Sequence, residues 1–287
     1  MFLAVLPFAL VGAALLTGCD QTASFYSCSN PDVGHKDSRG EPDPCHLTPE
    51  PPPPPPEPTV LVVNMVPFAQ SSETWQDSEP HLSINPQNQA VIAGSAFTKN
   101  PTGALGLAPI YVSTNGGRVW SLCNIVPSEN GFTGDITVAF GGSGKLFAGV
   151  LKGGVPLFLN VFRTDSATSS TPMSLLMSRL TSDQPFLTVS RGLGVPDRLY
   201  MGSNDFLGPG GKTATIDRAN AAAGIPAWST FRINSRNNCN QDGPSIRTAI
   251  APDGSVYGVF FRWLAPAPCK TSVPLPADVI VVRDNNG

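Results

Sequence analysis

A repeated unit of about 50 residues is the feature that most constrains the fold of this chain. The units begin at residues 79, 135, 184 and 243, so their starts are 56, 49 and 59 residues apart. Each unit reads as a short alternating strand, a turn rich in Asn, Gly, Pro or Asp, and a second β-rich strand. A period of this length, with room for four strands per unit, is typical of a β-propeller.

The composition supports an all-β fold. The chain has 287 residues with 28 Gly and 30 Pro, which suits many short strands joined by turns. The predicted first strands are 82–84, 138–140, 186–189 and 246–250, and their partners are 91–93, 146–150, 198–201 and 256–260. Residues 141–144 and 252–254 have the composition of hairpin turns.

One eight-residue stretch, STNGGRVW at 113–120, has the character of a hairpin tip. We expect Asn115 to accept a bond from the backbone two residues on, and Gly116 and Gly117 to adopt positive φ. The ring of Trp120 is expected to lie beneath the turn. The flanking strands are predicted at 110–112 and from Val119 onward.

This stretch resembles the Asp box, or BNR repeat, of sialidases, Ser-x-Asp-x-Gly-x-x-Trp. Ser113, Gly117 and Trp120 match, and Asn115 takes the place of the aspartate. The resemblance implies a sialidase-type β-propeller over residues 60–287, with about four blades visible of a six-bladed ring. Residues 278–287 repeat the pattern of 109–117 and stop inside a hairpin, so we expect the sequence to be a fragment of a longer protein.

The N-terminal residues 1–19 read as a signal peptide. Residues 2–18 are apolar, and Leu16-Thr17-Gly18-Cys19 resembles the bacterial lipobox, which implies lipidation of Cys19. The alternative is an ordinary signal peptide whose cleavage site contains a cysteine. Residues 20–59 are predicted to form a disordered tether that includes a proline-rich stalk at 49–58. The expected location is the cell envelope, either lipid-anchored at a membrane surface or secreted and periplasmic.

The cysteine pattern suits an oxidising compartment. With Cys19 assigned to lipid, the disulfide candidates are Cys28 with Cys45 and Cys239 with Cys269. Cys123 then has no assigned partner. No Cys or His spacing indicates a zinc site, and no cofactor is expected.

Polar residues recur at the starts of the predicted inner strands: Glu79, His81, Asp135, Asp183, Asp242 and Arg247. Inner strands line the channel of a propeller, so these side chains are expected to face one mouth and bind a polar ligand or a cation such as calcium. The alternative is structural, because small acidic residues also cap the turns that enter strands.

Two functions are compatible with these features. The first is a non-catalytic, membrane-anchored propeller that binds a glycan or a protein. The second is an exo-sialidase or another glycoside hydrolase whose catalytic residues are partly missing from this fragment. Retaining sialidases use a tyrosine nucleophile and three arginines, whereas Tyr111, Tyr200 and Tyr257 have the aliphatic flanks of core residues. The sequence therefore favours binding over catalysis.

Nucleic acid is not an expected partner. The formal net charge is −3, and no segment carries a block of basic residues. Binding to a phosphate backbone needs clustered Lys and Arg side chains. The expected partners are a glycan or protein at the propeller mouth and a membrane through the lipid anchor.

Overall fold

The computed structural model describes residues 60–66, 78–97, 110–123, 126, 133–152, 156–190, 192, 196–206, 212–221, 224–236, 245–263 and 277–284. Several predictions concern residues outside these ranges: the signal peptide, the tether, Cys19, Cys28, Cys45, Cys239, Cys269 and Asp242. Within the described part no residue is helical, and no helix has the length and apolarity needed to cross a membrane.

Four antiparallel sheets follow one another along the chain, and in each the strands pair in sequence order. The first sheet contains β1 (Ser78–Ile84), β2 (Ile92–Phe97), β3 (Ile110–Ser113) and β4 (Ser121–Cys123). The second contains β5 (Thr133–Phe140), β6 (Leu146–Lys152), β7 (Phe158–Thr164) and β8 (Ser174–Leu180). The all-β prediction and the predicted first and second strands of these units are confirmed.

The third sheet contains β9 (Ser182–Val189), β10 (Asp197–Asp205), β11 (Lys212–Ala221) and β12 (Trp228–Arg236). The fourth contains, among the described residues, β13 (Arg247–Ile250), β14 (Val256–Trp263) and β15 (Ala277–Asp284). Strand β15 pairs with β14 in the same way as β3 pairs with β2. The prediction that residues 278–287 repeat the pattern of 109–117 is therefore confirmed for the strand part of that pattern.

The first strands of the four sheets, which we call the inner strands, lie side by side and are joined by side-chain hydroxyls. Ser83 Oγ of β1 accepts a bond from the Phe140 amide of β5 at 2.8 Å. Thr188 Oγ1 of β9 donates to the Thr248 carbonyl of β13 at 2.9 Å. These bonds satisfy polar groups that the inner strands would otherwise bury, and contacts between neighbouring strands give the order β1, β5, β9, β13.

The hydrophobic core lies between successive sheets, which explains the composition of the middle strands. All residues of β6 from Leu146 to Leu151 are buried, because the strand packs on both faces. One face of β6 packs in a hydrophobic cluster with residues of the first sheet, such as Ile110. The other face packs in a second cluster with residues of the third sheet, such as Leu199. A strand covered on both faces reads as a continuous apolar run instead of an alternation.

A buried ionic network ties the second sheet to the third. Arg179 of β8 contacts Asp205 at 2.7 Å and also pairs with Asp217, and both carboxylates are almost fully buried. Asp217 accepts a further bond from Thr230 Oγ1 at 2.6 Å, and Arg232 donates to Asp205 at 3.0 Å. These partners offset part of the desolvation of the two aspartates, although burial still raises the pKa of Asp217. Arg232 lies on strand β12, and its side chain is partly exposed while it pairs with Asp205.

The hairpin tip at 113–120 joins β3 and β4, as predicted. Gly116 and Gly117 have φ of 70° and 84°, and the Trp120 indole donates to the Gly117 carbonyl at 2.9 Å, which places the ring under the turn. Ser113 Oγ accepts from the Gly117 amide and donates to Asn115 Oδ1, both at 2.9 Å. Asn115 Oδ1 accepts from the amide four residues on, Val119, at 2.9 Å, and not from the amide two residues on. The side chain thus spans the whole turn.

Candidate functional site

The inner strands of the first three sheets share a distortion at their starts. In each, two residues of the inner strand oppose one of its neighbour: between Ser78 and His81, between Thr133 and Ile136, and between Asp183 and Phe186. Glu79 and Gln184 also have left-handed backbone, with φ of 53° and 54°. A bulge of this kind redirects side chains, and left-handed backbone at a residue other than glycine costs free energy that the surroundings must supply.

These bulges surround a cleft, which we call the inner-strand cleft. Its volume is about 340 Å³, and it is lined by Glu79, Pro80, His81, Ile136, Gln184, Pro185 and Arg247. The lining comes from β1, β5, β9 and β13, so the cleft lies where the starts of the inner strands meet. This is the mouth at which the sequence places its candidate ring.

Four side chains at one equivalent position form a contiguous row beside the cleft. His81, Thr137, Phe186 and Arg247 each lie three residues before the last residue of their inner strand. His81 Nδ1 is 3.3 Å from Thr137 Oγ1, and the rings of His81 and Phe186 have centroids 5.6 Å apart. The Arg247 guanidinium carbon lies 4.6 Å from the centroid of Phe186, a distance at which cation and ring attract.

The position of Arg247 depends on a close approach between the third and fourth sheets. Gly202 of β10 pairs with Phe186, and a Cβ at Gly202 would overlap the carbonyl oxygen of Ile246, the residue before Arg247. A glycine is therefore required for β13 to come this close to β10. The approach brings the guanidinium over Phe186.

Asp135 has the most perturbed carboxyl group of the cleft. Burial, followed by the negative charges of Glu79 and Asp183, raises its pKa to about 6, against the opposing effects of its own backbone amide and of Arg247. The pKa of His81 is lowered by burial and then by Arg247, which keeps the imidazole neutral at pH 7. Perturbed groups that cluster in a cleft are characteristic of functional sites.

The structure thus brings together five of the six residues of the predicted ring: Glu79, His81, Asp135, Asp183 and Arg247. Asp242 lies outside the described residues. Sequence reasoning missed Gln184 and Phe186, which contribute to the same mouth. If the four inner strands are aligned by their last residues, Phe186 falls at the same position as His81, Thr137 and Arg247. Such an alignment would have identified Phe186 as part of the mouth.

The cleft carboxylates do not form a metal cage. Among the described residues, no group of three or more His, Cys, Asp or Glu side chains is arranged to hold a metal ion. Calcium requires six to eight oxygen ligands within about 2.6 Å.

A second cavity, of about 330 Å³, lies between the third and fourth sheets and differs in chemistry. Its walls include Tyr200, Ile216, Phe231, Val256 and Val282, so it is mainly apolar. Tyr200 and Tyr111 are buried, and Tyr257 is half-buried under Arg283. The predicted core packing is confirmed for Tyr111 and Tyr200, and none of the three tyrosines lines the inner-strand cleft.

The chain resembles solved glycoside hydrolases in structure. A GH93 α-L-arabinofuranosidase of Fusarium graminearum with arabinobiose matches with a TM-score of 0.53 and 13% identity over 77% of this chain and 66% of the enzyme. An α-L-arabinanase of Penicillium chrysogenum complexed with arabinobiose matches with a TM-score of 0.56 and 12% identity over 79% of this chain and 68% of the enzyme. The fold is that of the β-propeller glycoside hydrolases.

This β-propeller chain spans about two thirds of the length of the enzymes it resembles. No family model matches its sequence, and no curated protein matches it. At identities of 12–13% the likeness establishes the fold. The chemistry of the site has to be argued from the residues of this chain.

Proposed function

We propose that this chain binds a glycan at the inner-strand cleft. The observation that carries the proposal is the set of hydrogen-bonding groups that line one cavity of about 340 Å³: the carboxylate of Glu79, the amide of Gln184 and the guanidinium of Arg247. The carboxylate of Asp135 interacts electrostatically with Glu79 and Arg247. Sugars present many hydroxyl groups, which donate to carboxylates and accept from guanidinium and amide groups. Two structural neighbours of this fold are complexed with arabinobiose.

The environment of the cleft suits ligand binding better than it suits stability. The carboxylate of Asp135 is repelled by those of Glu79 and Asp183, and two residues at the rim have left-handed backbone. Both features cost folding free energy. Residues held in this way are commonly retained for function, because a site optimised only for stability would lose the charges.

Glycoside hydrolysis is the second candidate, and one observation favours it. A carboxyl group with a pKa of about 6 next to other carboxylates has the properties of a general acid, and Asp135 meets this description. A sialidase-type mechanism has less support, because the three tyrosines discussed above do not line the cleft. We therefore favour glycan binding over glycoside hydrolysis.

The finer identity of the protein is also a proposal. We propose a propeller of the sialidase type, with six blades in the whole protein, supported by the geometry of the Asp box at Ser113, Asn115, Gly117 and Trp120. We propose that Cys19 is lipidated and anchors the propeller outside the cytoplasm, supported by the lipobox-like sequence.

A glycan array probed with residues 60–287 tests the binding proposal. Binding of the wild-type chain is expected to fall at least about tenfold in Arg247→Met, which removes the central donor. Asp165→Asn is the matched control, since Asp165 follows β7 at the end of the second sheet opposite the cleft. Binding to no glycan, or unchanged binding by Arg247→Met, would refute the proposal.

The hydrolase alternative is tested on the same protein with arabino-oligosaccharides and fluorogenic glycosides. We expect no product above a buffer control. Product that appears with the wild type and disappears with Asp135→Asn would place hydrolysis first, because the substitution keeps the shape of the side chain and removes its proton.

A further inference from the structure

We infer that the inner-strand cleft selects neutral saccharides and discriminates against saccharides that carry a carboxylate, such as those ending in sialic or uronic acids. The inference rests on the proposed function, because it specifies which glycans the same cleft accepts. It is carried by the balance and placement of charge around the cleft.

Among the described residues of this mouth, negative groups outnumber positive groups. Glu79 lines the cleft, and Asp135 lies close enough to interact with both Glu79 and Asp183. Among the described residues that line the cleft, Arg247 alone is positively charged. His81 does not offset the imbalance, since burial and the nearby guanidinium keep it neutral.

The guanidinium of Arg247 already interacts with other groups of the cleft. Glu79 and Asp135 both act on its guanidinium, and its carbon lies 4.6 Å from the centre of the Phe186 ring. The contact between Gly202 and the Ile246 carbonyl fixes the backbone that carries it. A ligand carboxylate would need this guanidinium as a partner and would have to compete for it with two carboxylates of the protein.

A neutral sugar meets the opposite situation. Each of its hydroxyl groups donates a hydrogen bond, and a carboxylate of the protein has about four acceptor positions. The carboxylates that repel an acidic sugar are therefore good acceptors for a neutral one. Charge repulsion falls with distance and with ionic strength, so discrimination should be greatest at low salt.

The test uses pairs of glycans that differ by one acidic group. One pair is an N-acetyllactosamine-terminated glycan and its sialylated form, and a second is a xylo-oligosaccharide with and without a glucuronic acid branch. Binding to residues 60–287 is measured at pH 7.5 and low ionic strength. In each pair whose neutral member binds, the acidic member is expected to bind about tenfold more weakly. The difference should shrink in 0.5 M NaCl.

Two variants assign the discrimination to the cleft. Glu79→Gln removes one charge from the lining and should lower the ratio of affinities to about threefold, because the acidic glycan loses a repulsion that the neutral glycan does not experience. Asp165→Asn removes the same charge at the opposite end of the second sheet and should leave the ratio unchanged. An equal fall in both variants would mean that overall charge sets the ratio, which would overturn the inference.

The outcomes separate this inference from the proposed function. Equal or tighter binding of the acidic member of each pair would overturn charge selection and leave glycan binding in place. Failure of both members of all pairs, and of arabinobiose, to bind would refute the proposed function and the inference with it.

Discussion

The carboxyl group of Asp135 should destabilise the folded chain at neutral pH, so its replacement by asparagine should stabilise it. Folding raises the pKa of this group from 3.8 to about 6, first through burial and then through Glu79 and Asp183. Each pKa unit corresponds to about 1.4 kcal/mol, so a fully buried group would contribute about 3 kcal/mol. Because Asp135 is only partly buried, solvent screening reduces this to about 1–2 kcal/mol.

The sign of the effect sets its pH window. Below pH 3.8 the carboxyl is protonated in both states, and its contribution to stability is fully present. As the pH rises toward 6, the unfolded chain releases the proton more readily than the folded chain, so the free energy of unfolding falls. Above about pH 6 the carboxyl is ionised in both states, and the free energy of unfolding is lowered by the full amount. Asp135→Asn should therefore match the wild type near pH 3.5 and exceed its free energy of unfolding by about 1–2 kcal/mol at pH 7.5.

Urea unfolding followed by tryptophan fluorescence at pH 3.5, 5, 6 and 7.5 measures this difference. Asp165→Asn is again the control, since Lys145 lowers the pKa of Asp165 and its replacement should give no stabilisation at pH 7.5. A gain for Asp135→Asn that persists at pH 3.5, or a loss at pH 7.5, would refute the reasoning about the cleft charges.

Three further predictions concern the fold and its anchoring. Trp120→Ala should lower the free energy of unfolding by about 3 kcal/mol and Asn115→Ala by about 1 kcal/mol in urea titrations, because the ring lies under the turn and the amide oxygen bridges it. Arg179→Met should lower the free energy of unfolding by about 3–5 kcal/mol in the same titrations, since it removes a partner from two buried aspartates. A decrease of less than about 1 kcal/mol would contradict this prediction. Palmitate labelling of the full precursor in a bacterium is expected to depend on Cys19, and labelling of a Cys19→Ser variant would refute lipidation.

Local sequence was sufficient for most of the fold. The turn at 252–254 is fixed by Gly254 with φ of 86° and by Asp253, which accepts a bond from the Ser255 amide at 2.8 Å. The same applies to the hairpin tip at 113–120, where neighbouring side chains provide all the turn bonds described above. Such interactions span two to four residues, so a pattern in the sequence determines them.

The site was predictable only in part. The start of each inner strand could be located from the repeat, and with it Glu79, His81, Asp135, Asp183 and Arg247. The bulges could not be predicted, because an extra residue in a strand is recognised only against the register of its neighbour. Phe186 was overlooked because a single aromatic residue in a strand normally indicates core packing.

The sequence by itself determined the strands, the turns and the end of each sheet at which the polar residues lie. These features depend on local propensity and on a repeat that can be recognised in the sequence alone. Only the tertiary structure decided the properties of the cleft. Residues 79, 135, 183 and 247 belong to four different sheets, and the pKa of Asp135, the pairing of Arg247 with Phe186 and the shape of the cavity depend on distances between them. Those distances are set by how the sheets pack, with Gly202 against the Ile246 carbonyl as one of the determining contacts.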